Sequence, residues 1–169
     1  MRRPAAAVGS SVFMAVAPGT VAGLGPWLLT GWHAAHWWLP VRVLGGVLLA
    51  AGAAVLVHAF ARFVVEGLGT PAPVAPTEHL VVGGLYRYVR NPMYVAVVAA
   101  IIGQALLLGR PVLVVYGLLV AAGMWAFAKW YEEPTLLRRF GTEYERYHHA
   151  VPGWWPRLRP WPGGRPGRA

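Results

Sequence analysis

The sequence predicts an all-α, polytopic membrane protein with about four transmembrane helices and a C-terminal amphipathic segment over a site at the cytoplasmic face. Three observations lead there. Of the 169 residues, 57% are hydrophobic and 12% charged, roughly half the charged share of an ordinary soluble domain. The few charges divide the chain at intervals close to the thickness of a bilayer. They are also one-sided in sign, with a net charge of +9. One small core could not hide this much apolar surface from water, and a disordered chain would need low hydrophobicity.

The first span is expected over residues 5–29, an uncharged stretch interrupted by Pro18 and Pro26. Proline is tolerated in a membrane helix when neighbouring groups satisfy the freed backbone, so this helix should be kinked. Gly19-Thr20-Val21-Ala22-Gly23 also offers a small-residue packing face. A secretory leader is the competing reading, because Arg2 and Arg3 precede the run and Ala15-Val16-Ala17 resembles a cleavage site. Against it, Pro18 would follow the cut and apolar sequence continues to Leu29.

Arg42 and Arg62 bracket the second span, residues 43–61. Arg90 and Arg110 bracket the third, residues 92–108, and Arg110 with Lys129 brackets the fourth, residues 111–129. Gly109-Arg110-Pro111 is short enough to make the last two a helical hairpin. The first connection carries Trp32, Trp37 and Trp38 but no Lys or Arg. The loop 62–91 and the residues after the fourth span hold most of the cations. By the positive-inside rule both termini face the cytoplasm of an inner or plasma membrane. Residues 1–150 form a single domain, with an amphipathic segment over 134–150, and 151–169 is a tail rich in Pro, Arg and Trp. That tail suits an anionic membrane surface and accounts for the charge without a nucleic-acid partner.

What is missing narrows the chemistry. There is no Cys and no Asp, which removes disulfides, thiolate catalysis and an Asp-oriented triad. A metal site is not expected, since His33 and His36 sit among tryptophans without further ligands. His148 and His149 read as solvated. His58, Arg62 and Glu66 share one helical face, as either an Arg–Glu pair or a contact to a headgroup.

Two cytoplasmic segments hold most of the remaining polar chemistry. The first runs from Glu78 and His79 through Gly83-Gly84 to Tyr86-Arg87-Tyr88-Val89-Arg90-Asn91-Pro92-Met93-Tyr94. Pro92 suits the first position of a helix and Asn91 its N-cap, so free N–H groups open there toward an anion. The second is Lys129-Trp130-Tyr131-Glu132-Glu133-Pro134. Paired carboxylates at a membrane boundary either bind a cation, act as a base, or form a solvated helix end.

Together these segments resemble the superfamily of isoprenylcysteine carboxyl methyltransferases and phospholipid N-methyltransferases, over roughly residues 67–156. The resemblance rests on Leu80-Val81, Gly84, Tyr86-Arg87-Tyr88, Arg90-Asn91-Pro92 and Tyr94, then Glu132-Glu133-Pro134, then Phe140-Gly141, Tyr144, Tyr147 and Val151-Pro152. It implies S-adenosylmethionine as cofactor, capped by the C-terminal segment, and a membrane lipid or apolar small molecule as acceptor. By the same resemblance Glu78, His79, Leu80, Val81, Tyr86, Asn91, Pro92, Met93, Tyr94 and Glu132 would bind the cofactor. Glu133 and Lys129 would act on the acceptor side. The carboxyl-methylating branch has His at Asn91 and Arg at Ala128, so the wording here stands closer to the phospholipid branch. A non-catalytic scaffold or small transporter is the alternative, and the sequence does not fix the oligomeric state.

Overall fold

The computed structural model describes residues 12, 16–36, 38–67 and 79–163, with the backbone alone over 63–67. Every regular element among them is helical. A π-helical turn, Thr20–Leu24, leads into α1 (Gly25–Thr30). Next come α2 (Leu39–Gly67), a 3-10 turn (Gly84–Arg87), α3 (Pro92–Leu108) and α4 (Pro111–Phe127). A second π turn, Ala128–Glu132, continues α4 into α5 (Glu133–Phe140), and α6 (Thr142–Ala150) follows.

Two stretches are long and apolar enough to cross a membrane: Leu39–Arg62, and the continuous helix Pro111–Phe140. Only 22% and 17% of their apolar windows are buried inside the protein, so neither resembles the enclosed core helix of a water-soluble domain. In the second, charge begins at Lys129, so the apolar part ends with Ala128. The shorter apolar helix α3 has 17 residues, at the lower limit for a span. Expectation and structure agree on the α3–α4 hairpin: Gly109 ends α3 with φ 64°, and Pro111 starts α4.

Helices α2 and α3 meet backbone to backbone. A Cβ placed on Gly103 would lie 2.6 Å from Leu49 N and 2.9 Å from Gly45 O. One placed on Gly52 would lie 2.8 Å from Ala96 O. Small residues at one helical face permit this approach, which in a lipid solvent supplies packing that the hydrophobic effect cannot.

The N-terminal helix carries the expected irregularity, and its repair is visible. Pro26 has no N–H to give the Ala22 carbonyl, and the Gly25 N–H reaches back to Thr20 O instead of Val21 O. Both freed carbonyls find side chains on other helices. Gln104 Nε2 donates to Ala22 O at 2.7 Å, and Tyr116 Oη donates to Val21 O at 2.8 Å. Trp32 Nε1 donates in turn to Gln104 Oε1 at 3.2 Å. Gln104 is thus buried but fully engaged.

Residues 134–150 were expected as one amphipathic stretch. They form two helices because Gly141, at φ 52°, breaks the chain between them. Tyr144 and Tyr147 are buried, with Val81, Val82, Tyr86, Ala59 and Val151, in an apolar cluster beneath the two polar segments.

Candidate functional site

The start of α3 faces the end of the α4 helix. Pro92 occupies its first position and is buried, as its fixed φ and missing N–H favour. Asn91 holds the N-cap position, but its side chain makes no capping hydrogen bond. The expected cap is therefore absent, and first-turn N–H groups have no side-chain partner from it.

Opposite, the π turn Ala128–Glu132 inserts an extra residue per turn, a distortion found often at functional positions. Glu132 and Glu133 follow directly and take different partners. Tyr94 Oη donates to Glu132 Oε1 at 2.6 Å. Glu133 accepts from Arg90 Nη1 at 2.8 Å and from Lys129 Nζ at 3.2 Å, and His148 Nε2 stands 3.4 Å away. Burial alone would raise the Glu133 pKa, but hydrogen bonds from Arg90 and Lys129 and the neighbouring positive charge hold it below the usual carboxylate range. Burial, and then Arg90, push the His148 imidazole below its ordinary value despite Glu133. His148 is two-thirds buried by its side chain, not solvated as the sequence suggested.

Arg90 joins three parts of the protein. Besides Glu133 it donates from Nε to Val151 O at 2.9 Å and from Nη1 to Tyr144 Oη at 3.3 Å. Its backbone N–H donates to Pro152 O, and that of Asn91 to Gly153 O. Gly153 passes so close that a Cβ there would lie 3.3 Å from Arg90 Nη2. Trp154 then stacks over Tyr94, with centroids 6.1 Å apart and planes at 19°. Further along, the N–H groups of Arg157 and Trp161 donate to Tyr88 O and Arg87 O. Residues 151–161 thus lie along 87–91 without forming helix or strand.

The sequence-predicted residues sort into three places. Tyr94 comes together with Glu132, beside Glu133 and Lys129, while Asn91 and Pro92 open the same helix and Met93 packs against the apolar cluster. Leu80, Val81 and Tyr86 sit in or against the apolar cluster, where Tyr147 Oη donates to Tyr86 O at 2.7 Å. Burial raises the Tyr147 phenol above its ordinary pKa, so it stays protonated as that donor. His79 is exposed. Glu78 and the Glu66 side chain lie outside the described residues. Sequence reasoning missed Trp154 and His148 as neighbours of the site, had Tyr144 only as a motif residue of the covering segment, and saw Arg90 only as a span boundary and a motif residue. The available signal for Tyr144, Tyr147 and His148 was their 3–4 spacing on one face of a polar helix.

The arrangement offers a carboxylate fixed by a phenol, an uncapped helix start and two aromatic faces, all suited to a zwitterionic ligand with a cationic centre. No curated protein matches the chain. A family model described as phospholipid methyltransferase matches residues 40–143, more than half of the sequence, including Arg90, Tyr94, Lys129, Glu132 and Glu133 of this site. The chain belongs to the phospholipid methyltransferase family.

Proposed function

We propose that the protein is an S-adenosylmethionine-dependent membrane methyltransferase acting on a phospholipid amine or another apolar acceptor at the cytoplasmic face. The arginine distribution supports that face: four spans with both termini inside, as the positive-inside rule predicts, would put the site there. The observation that carries the reading is the Tyr94–Glu132 contact, within a chain of this family.

The residues present fit the cofactor. Glu132, oriented by Tyr94, is complementary to the methionyl ammonium, and the uncapped N–H groups after Pro92 to its carboxylate. Tyr94 and Trp154 offer π faces to a sulfonium. Leu80, Val81, Tyr86 and Met93 form the apolar support, with the exposed His79 beside them. When bound, S-adenosylmethionine supplies an electrophilic methyl group, so the protein's own task is positioning and exclusion of water.

On the acceptor side Lys129, paired with Glu133 but 54% exposed at its side chain, is accessible to an anionic headgroup. Glu133 already shares its charge among Arg90, Lys129 and His148, which suits it to holding the site together. An amine acceptor must shed a proton, and His148, kept neutral beside Glu133, is the better receiver. A transporter would need polar groups open at mid-membrane, whereas Gln104 spends its own on Trp32, Ala22 and Ala100.

Calorimetry on the purified protein tests the reading. S-adenosylmethionine should bind, and Glu132→Gln should abolish binding while the fold survives. Undiminished affinity in that variant would overturn the site. Labelled cofactor supplied with a lipid extract should then mark the acceptor.

A further inference from the structure

The segment Pro156-Arg157-Leu158-Arg159-Pro160 has an unusual exposure pattern. Leu158 is 99% exposed, more than any other large apolar residue described, and Trp155 nearby is 81% exposed. The loop is not loose at its ends. Arg157 is held by its N–H on Tyr88 O and its Nη1 on Ala150 O at 2.8 Å. Trp161 is held by its N–H on Arg87 O, by Arg87 Nε on its own carbonyl at 2.9 Å, and by its ring 5.4 Å from that of Tyr147. Pro156 just before the first anchor and Pro160 just before the second fix φ on either side, and the leucine stands outward between two arginines. A rigid loop that spends its restraint on exposing an apolar tip is poorly explained by contact with water.

We propose that residues 155–160 are a lipid-docking tip, with Leu158 and Trp155 entering an anionic leaflet and Arg159 meeting its headgroups. An apolar tip flanked by cations is the chemistry of interfacial anchoring, in which the charge is drawn to the surface and the apolar group enters it. Trp130, 74% exposed where the apolar part of the α4 helix ends, marks the same boundary. The inference rests on the proposed placement of the α4 end and the tail at one membrane face. Because the tail also lays Trp154 on Tyr94, docking would bring the site to the lipid surface.

The chain has no cysteine, so Leu158→Cys carrying an environment-sensitive fluorophore reports on this position alone. The labelled protein is placed in lipid discs of phosphatidylcholine, or of an equimolar mixture with phosphatidylglycerol. Docking predicts a blue-shifted emission, and quenching by lipids brominated on their acyl chains, in the anionic discs. Arg159→Ala in the same background should weaken that preference about fivefold, the effect of about 1 kcal/mol per basic residue near such a surface. A label that stays in water in both discs overturns the proposal, and so does one shielded only when soluble proteins are added. S-adenosylmethionine binding in the same discs is read separately. Insertion without cofactor binding would sustain the tip and sink the proposed function; binding without insertion would do the reverse.

Discussion

Tyr94 Oη donates a 2.6 Å hydrogen bond to Glu132 Oε1, joining the first turn of α3 to the end of the long α4 helix. The distance is short, as expected where a hydroxyl meets an ionised acceptor. Tyr94→Phe removes the donor and keeps the ring. Affinity for S-adenosylmethionine should fall about tenfold, since a hydrogen bond to a charged group contributes about 1.5 kcal/mol or more. Calorimetry reads that loss, and an unchanged affinity would show that Glu132 needs no orienting partner.

Arg90 is the residue whose loss should damage the most structure. Its guanidinium serves Glu133, Tyr144 and Val151 O together, a fork that a lysine cannot reproduce. Arg90→Met and Arg90→Lys should both destabilise the protein, the former by about 3 kcal/mol because a largely buried carboxylate loses its main partner. Unfolding in detergent measures this. Recovery by Lys would reduce the network to simple charge pairing.

Gln104 and Pro26 should be energetically coupled. Gln104→Leu leaves the Ala22 carbonyl and the Trp32 indole without partners and should cost about 1–3 kcal/mol. Pro26→Ala returns an N–H in register with Ala22 O. The double variant should therefore lose less than the two single losses added, and strict additivity in a double-mutant cycle would contradict the account.

Two neighbouring glycines should behave oppositely. A methyl on Gly45 would run into the backbone of Leu107 and Gly103, whereas one on Gly46 meets only Leu107 Cδ1 at 3.9 Å. Gly46→Ala should be neutral or stabilise by up to about 1 kcal/mol through helix propensity. Gly45→Ala should destabilise clearly, since two backbones would have to part. Thermal unfolding of the pair decides it.

Acid should loosen the site in two steps. His148 has a depressed pKa in the fold, so the unfolded chain binds more protons and stability falls as pH drops below the usual imidazole value of about 6.5. Glu133 is likewise depressed, and its contribution is lost only further down, below the usual carboxylate value of about 4.3. His148→Gln should flatten the first decline and leave the second, as a series of unfolding temperatures against pH would show.

Much of the helical frame was legible because length between cations and apolar run are local properties. Arg110, Gly109 and Pro111 mark a hairpin by residue type alone, and the structure has it. The pairing of the Tyr94 segment with Glu132 was foreshadowed only by resemblance, since nothing in the spacing of residues 94 and 132 requires contact. Gln104 could be read as a polar residue at depth, but its partners depend on how three helices cross. Asn91 looked like a capping side chain; it holds the position without the capping bond, and its backbone N–H goes to Gly153 O of the tail. The tail itself was unreadable as structure, being held by backbone bonds to residues 87–91 that leave no periodic mark. The break at Gly141 was read through as one amphipathic segment, although a glycine between an apolar stripe and a fresh acidic turn marks it.

The carbonyls of Val21 and Ala22 bear on the order of assembly. Their partners, Tyr116 and Gln104, are synthesised some 95 and 82 residues later. Until α3 and α4 arrive, the proline bend at Pro26 has two oxygens that apolar surroundings cannot solvate. This segment consequently waits for residues made long after it before it is finished. Truncating synthesis before Tyr116 would leave it seeking water, or a chaperone, at the membrane edge.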